Sequence, residues 1–328
     1  MKILVAIFST VYAWNIPEEQ VEQLRRDFPE HTFVRADSDD EVLQRIVDAD
    51  VVYCSWINAA QFAAARQLRW IHSNAAGIGP LLFPAMLASS IPVTNSSGVS
   101  SVTIAEHVVA VALALLRELP LAWRRQAERR WSQNEFDSGA RMKTLRGARV
   151  LVVGLGSIGR ETAQLAGSFG AHVVGIRRRA GQGPTPAGVA AVVGPRELHA
   201  ELPQADLVVV AAPHTRDTER IIGERELALM KDDAVLVNVS RGTLIDEAAL
   251  IRTLESGRLR GAALDVFEHE PLAAGSPLWG RGDVIVTPHV SGFHADYWPT
   301  ARRMFADNLR RFQAGQPLAN MVDKQAGY

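Results

Sequence analysis

The chain has 328 residues, is 47% hydrophobic and 22% charged, and carries a formal net charge of −1. At roughly 100–200 residues per domain that length suggests two domains, and the composition is that of a globular protein with a well-buried core. The near-neutral balance offers no basic face to nucleic acid or an anionic membrane surface, no apolar run approaches the roughly 20 residues of a membrane span, and the single cysteine, Cys54, excludes an intrachain disulfide and fits a reducing cytoplasm.

The opening run Met1–Phe8 reads as a buried first strand rather than a leader, because it lacks a small-residue cleavage site and passes straight into Ser9 and Thr10. Strands are expected at Ile3–Phe8, Val51–Cys54 and Trp70–His72, with helices at Pro17–Phe28, Glu41–Ala49 and Ala59–Gln67 between them. Such alternation argues for a parallel sheet covered by helices. A long helix, Ser101–Arg125, follows; it is rich in Ala, Val and Leu all round and so should be largely buried. A second series then begins: strand Arg149–Gly154, helix Ile158–Phe169, strand His172–Ile176, a Gly/Pro-rich loop Gly181–Gly188, and strands Leu207–Ala211, Val235–Asn238, Gly261–Asp265 and Val284–Thr287. Helices Glu224–Leu229 and Glu247–Ser256 lie among these strands, and a last helix, Pro299–Gln313, ends the pattern. Cys54, at the end of an apolar strand with no base in view, reads as a passive residue. No repeat and no metal-ligand spacing is present.

The segment Val150–Gly159 carries Gly154-Leu155-Gly156-Ser157-Ile158-Gly159 between a strand and a helix. In that setting the G-x-G-x-x-G pattern points to a dinucleotide. Gly154 permits the tight turn, Gly156 admits the pyrophosphate to the backbone, and Gly159 lets helix and strand pack closely; the helix N-terminus, with Ser157 and Ile158, then faces the anion. The next strand ends in Arg177-Arg178-Arg179, where an NAD site would place an acid. Guanidinium pairs with a 2′-phosphate that a carboxylate would repel, so NADP(H) is expected over NAD, with Arg177 and Arg178 as its contacts and NAD use left open.

Three further segments bear chemistry: Val239-Ser240-Arg241, Asp265-Val266-Phe267-Glu268-His269-Glu270, and Thr287-Pro288-His289. Each follows an apolar strand, at the end where open α/β sheets bind ligands. Arg can clamp a carboxylate, His moves protons near neutral pH, and a carboxylate beside His stabilises imidazolium. The other histidines, including His107, His214 and His269, read as structural or surface groups.

These segments, with Trp70-Ile71-His72, Ile104–Val109 and Leu309–Phe312, resemble the D-isomer-specific 2-hydroxyacid dehydrogenase family along nearly the whole chain. The resemblance implies two Rossmann-like, doubly wound parallel-sheet domains, the nucleotide domain (99–290) inserted into a substrate domain (1–98 plus 291–328). It implies that Arg241 binds the substrate carboxylate, that His289 donates a proton as hydride arrives, and that Glu270 keeps His289 protonated. It further implies that Asp265 meets the nicotinamide carboxamide, that Pro213, His214 and Val239 flank the coenzyme, and that the N–H groups of Ala76 and Gly77 hold the substrate. Formate dehydrogenases of similar sequence place Gln where Glu270 stands. The expected reaction is reduction of a 2-oxoacid to a D-2-hydroxyacid, with glyoxylate and hydroxypyruvate ranked first because NADPH favours reduction. Phosphite- or phosphoglycerate-type dehydrogenases and a nucleotide-sensing corepressor are the alternatives; a homodimer is implied. The substrate side chain is left open, with Trp56, Phe83, Trp131, Phe293, His294, Tyr297 and Trp298 as candidates to line its pocket.

Overall fold

A computed structural model describes residues 1–136 and 142–328. Its contacts divide the chain into two compact units, 1–100 with 293–328, and 101–292.

The first unit is built on a five-stranded parallel sheet. Its strands are β1 (Lys2–Ala6), β2 (Thr32–Arg35), β3 (Val51–Cys54), β4 (Trp70–Ser73) and β5 (Val93–Asn95), in the order β2-β1-β3-β4-β5. Helices cover both faces, so β3 and β4 are buried at every position; β3 is an unbroken apolar run, while β4 also buries His72 and Ser73. The helix Tyr297–Gln313 returns the chain to this unit. It buries Ala301, Phe305, Ala306 and Leu309 on one stripe, and Phe305 stacks on Tyr53 with ring centroids 4.3 Å apart.

The second unit holds seven parallel strands: β6 (Arg149–Val153), β7 (His172–Ile176), β8 (Ala191–Val193), β9 (Leu207–Val210), β10 (Val235–Asn238), β11 (Gly261–Leu264) and β12 (Val284–Val286). Their order is β12-β11-β10-β9-β6-β7-β8. Counted from β6 as the first, this is the 3-2-1-4-5-6 order of dinucleotide-binding sheets with one strand added. Separate apolar cores fill the two faces.

Two expectations need correction. The helix expected over 101–125 is two helices, Ser101–Leu116 and Leu119–Ala127. Pro120 has no N–H to give, and its ring would strike the carbonyl of Leu116; the chain breaks at Glu118, which takes φ +56°. The second helix buries none of its residues, unlike the first. Strands β2, β5 and β8 were not expected at all; each is three or four residues long and lies at a sheet edge.

Candidate active site

In the second unit the polar loops sit at the carboxyl ends of the strands. After β6 the chain turns at Gly154, with φ +104°. A Cβ there would lie 2.5 Å from the Ala212 nitrogen, and one on Gly159 would lie 1.9 Å from the Gly154 carbonyl oxygen. Neither position accepts a side chain, so the helix Ser157–Ser168 starts close against the strand end. Gly156 differs: a Cβ there would meet nothing within 4 Å. The bare backbone at the helix N-terminus therefore faces open space, the shape a pyrophosphate requires. Ser157 and Ile158 are the first helical residues behind it.

The neighbouring strand β7 delivers the arginines. Register pairs Val153 with Ile176, so Gly154 and Arg177 follow adjacent strand ends. The Arg177 guanidinium donates through Nη2 to the carbonyl of Gln182, and its Nε is buried without a partner. Arg178 is exposed. Pro213 and His214 are exposed beyond β9, and Val239 is buried just past β10.

The three segments after β10, β11 and β12 converge. A Cβ on Gly242 would fall 1.8 Å from the Phe267 carbonyl carbon, so only glycine lets the Arg241 loop press against the loop carrying Glu270. The Arg241 carbonyl is held by Asn238 Nδ2 at 2.9 Å, and its Nη1 donates to the Ser240 carbonyl at 2.6 Å. Surrounding protein lowers the Arg241 pKa from its ordinary value while the Glu270 charge opposes the shift, although part of the residue still reaches solvent. Nearby charge of this kind places Arg241 and Glu270 in one field.

Glu270 Oε2 lies 2.7 Å from His289 Nδ1, and its Oε1 accepts the Phe267 N–H at 3.1 Å. Burial works to raise the Glu270 pKa, but the hydrogen bond and charge of His289, the Phe267 N–H and Arg241 outweigh it and hold the carboxyl below its ordinary value. As a carboxylate Glu270 only accepts, so Nδ1 carries a proton towards it. His289 itself adopts φ +54°. Its N–H donates to the Asp265 carbonyl at 2.8 Å. The Asp265 side chain, 1% exposed, accepts from the Thr287 hydroxyl at 2.6 Å, the Val290 N–H at 3.0 Å and the Ser291 N–H at 3.1 Å.

In the first unit the loop after β4 is pinned by its carbonyls. Tyr297 donates its hydroxyl to the Asn74 carbonyl at 2.8 Å, the Ser96 N–H reaches the Ala75 carbonyl at 3.2 Å, and Asn95 Nδ2 reaches the Ala76 carbonyl at 2.8 Å. With three successive carbonyls fixed, Ala76 and Gly77 are exposed, and among the described residues their N–H groups have no partner. Adjacent free amides of this kind suit an anion. Burial pushes the Tyr297 pKa up to about 12, so its hydroxyl remains a donor at neutral pH. Sequence reasoning did not find Asn95 or Ser96, and it gave Thr287 no role of its own. Their signal was weak, since each is a small polar residue at the end of a short strand.

The aromatic candidates separate. Phe83 packs edge-on against Phe62 beside the core, and Trp131 is 91% exposed in the second unit. Phe293 meets Trp14 edge-on at 6.2 Å, Trp298 donates to the Ala13 carbonyl at 3.2 Å, and His294 lies edge-on to Tyr297 at 5.9 Å. Trp56 stands exposed after β3.

A seven-stranded parallel sheet with a glycine cradle, beside a carboxylate–imidazole pair and an arginine, defines a dinucleotide-binding α/β protein equipped for proton transfer. Residues 109–291 match the family model of the NAD binding domain of D-isomer specific 2-hydroxyacid dehydrogenases, and the chain belongs to that family. It is 31% identical over 290 residues to a glyoxylate reductase of Korarchaeum cryptofilum, covering 87% of this chain and 86% of the relative. It is 28% identical to a D-3-phosphoglycerate dehydrogenase of Archaeoglobus fulgidus over 98% of this chain, and spans 59% of that relative's length. The crystal structure of a D-isomer specific 2-hydroxyacid dehydrogenase from Xanthobacter autotrophicus Py2, in complex with NADPH and MES, superposes with TM-score 0.84 at 30% identity over 99% of both chains.

Proposed function

We propose that this protein reduces a 2-oxoacid to a D-2-hydroxyacid with a nicotinamide coenzyme, NADP(H) in preference to NAD(H). The observation that carries the reading is the Glu270–His289 contact of 2.7 Å beside Arg241. A reduced nicotinamide, when bound, supplies the hydride. Arg241 binds the substrate carboxylate and places positive charge beside the 2-oxo group. His289 delivers a proton from Nε2 to that oxygen, and Glu270 stabilises the imidazolium before transfer. Positive charge aimed at a developing oxyanion is the general form of electrostatic catalysis, and a placed proton donor adds about 10²–10⁴-fold. The free N–H groups of Ala76 and Gly77 offer a second hold on the carboxylate. Gly154, Gly156, Ser157, Ile158 and Gly159 would cradle the pyrophosphate, with Pro213 and Val239 beside the coenzyme. Arg178, exposed at the end of β7, and Arg177 beside it would meet a 2′-phosphate. The NADPH held by the Xanthobacter relative supports that preference. A homodimer is proposed through the exposed apolar residues Leu119, Trp123 and Trp131.

The test is coenzyme oxidation with glyoxylate, hydroxypyruvate, bulkier 2-oxoacids and 3-phosphohydroxypyruvate, each with NADPH and NADH. Turnover of an unphosphorylated 2-oxoacid supports the reading. Turnover confined to the phosphorylated substrate would favour the phosphoglycerate-type activity of the Archaeoglobus relative. Arg178→Asp is expected to shift preference towards NADH; an unchanged preference would remove Arg178 from the 2′-phosphate site.

A further inference from the structure

The loop that carries His289 is strained and must be held. A non-glycine residue at φ +54° persists only where its surroundings dictate it. Glu270 holds the imidazole, and the backbone on either side of it is held chiefly through Asp265. Asp265 takes the His289 N–H on its carbonyl, and its two carboxylate oxygens take Thr287, Val290 and Ser291. Asp265 is itself tied to β10 by its N–H, which donates to the Asn238 carbonyl at 3.0 Å. Residues on both sides of His289 thus hang from a side chain that is 1% exposed. A carboxylate has about four acceptor sites, and three are occupied by this loop. His107, on the helix Ser101–Leu116, braces the arrangement from outside, its Nε2 lying 3.4 Å from the Thr287 hydroxyl. The hydroxyl proton goes to Asp265, so His107 Nε2 would donate to the Thr287 oxygen.

We propose that Asp265 is a positioning residue for proton transfer: its carboxylate, with the Thr287 hydroxyl, clamps the turn that aims His289. This goes beyond the coenzyme contact that family resemblance implies for Asp265, and it rests on the reading of His289 as proton donor. Misplacing a reacting group by 1 Å can cost on the order of 100-fold in rate. The clamp therefore acts on turnover at saturating coenzyme, whatever Asp265 also contributes to coenzyme binding.

The full chain is compared with Asp265→Asn, Thr287→Val and Thr287→Ser. An asparagine would set its NH₂ against a backbone N–H, whereas Thr287→Val deletes one donor and keeps the shape. Expected are kcat losses of about 10–100-fold for Asp265→Asn and about 3–10-fold for Thr287→Val, with Thr287→Ser within about 2-fold of the parent and KM for the 2-oxoacid changing less than kcat. Coenzyme Kd, read by fluorescence, should stay within about 3-fold for both Thr287 variants, and the Asp265→Asn loss in kcat should persist at saturating coenzyme. If Asp265→Asn instead weakens coenzyme binding more than about tenfold while saturated turnover holds, Asp265 is a coenzyme contact and the clamp is wrong. Should Asp265→Asn fail to fold, the Thr287 pair decides: equal turnover of the Val and Ser variants overturns the proposal. Should the parent turn over no 2-oxoacid, the functional reading fails separately. The imidazole proton resonance of His289 then reports on the clamp, moving in Thr287→Val and not in Thr287→Ser if it exists, and unmoved in both if it does not.

Discussion

The two units share one construction and differ in what stands at their strand ends. Each is a parallel sheet covered on both faces, and each follows one of the two common doubly wound orders: β2-β1-β3-β4-β5 in the first, the 3-2-1-4-5-6 pattern with one strand added in the second. Their loops are chemically unlike. The second unit presents Arg241, Glu270 and His289: Glu270 and His289 are in contact, and Arg241 feels the Glu270 charge. The first presents bare backbone, the amides of Ala76 and Gly77, supported by neutral groups. The same scaffold thus carries the proposed proton-moving centre in one unit and the proposed anion cradle in the other; on that reading function lies in the loops and not in the sheet.

The sharpest way to break that contrast is His289→Ala. Turnover is expected to fall by about 10²–10⁴-fold while the coenzyme Kd holds, measured by steady-state kinetics beside fluorescence titration. Near-normal turnover would remove the proton-moving role from the second unit. Gly156→Ala comes next. Its Cβ meets nothing within 4 Å, so Tm should move by no more than about 4 °C, yet coenzyme affinity should drop at least about tenfold. Unaltered affinity would mean that this cradle does not take the pyrophosphate.

Acid should find the first unit more readily. His72 is fully buried between the hydroxyls of Thr94, at 2.7 Å, and Ser96, at 3.3 Å, and burial takes its pKa from 6.5 down to about 3. Below pH 6.5 the unfolded chain binds a proton that the folded unit refuses, so stability falls as pH drops from 6.5 towards 3. The slope is about 1.4 kcal/mol per pH unit for this group. Urea unfolding at pH 6, 5 and 4 should show a shallower acid loss in His72→Gln than in the parent; parallel curves would discard the assignment. The smallest effect is expected from Tyr297→Phe. Losing one hydrogen bond to the Asn74 carbonyl, of order 1 kcal/mol, should raise KM for the 2-oxoacid by about 3–10-fold with kcat nearly constant. A change in kcat with KM unmoved would place Tyr297 outside substrate support.

The buried strands were legible because a strand covered on both faces is largely apolar. Val51–Cys54, His172–Ile176 and Val235–Asn238 match their expected bounds. The strands missed, Thr32–Arg35, Val93–Asn95 and Ala191–Val193, are short and sit at sheet edges, where one neighbour suffices and a long apolar run is not required. The break in the long helix was written in Pro120 and outweighed in the reading by the apolar stretch before it.

At the site, the sequence alone determined the glycine-rich turn and the family, and it singled out Arg241, Glu270 and His289 as candidates, because turn chemistry and strand-end placement are local. Tertiary structure decided what those groups touch. The 2.7 Å contact of Glu270 with a histidine 19 residues away, the closure of the His289 loop on Asp265, and the support of Asn74 by Tyr297, 223 residues distant, depend on which strand ends become neighbours. Hydrogen bonds between residues so far apart leave no periodicity in the chain, since only the packed sheet brings their partners within reach.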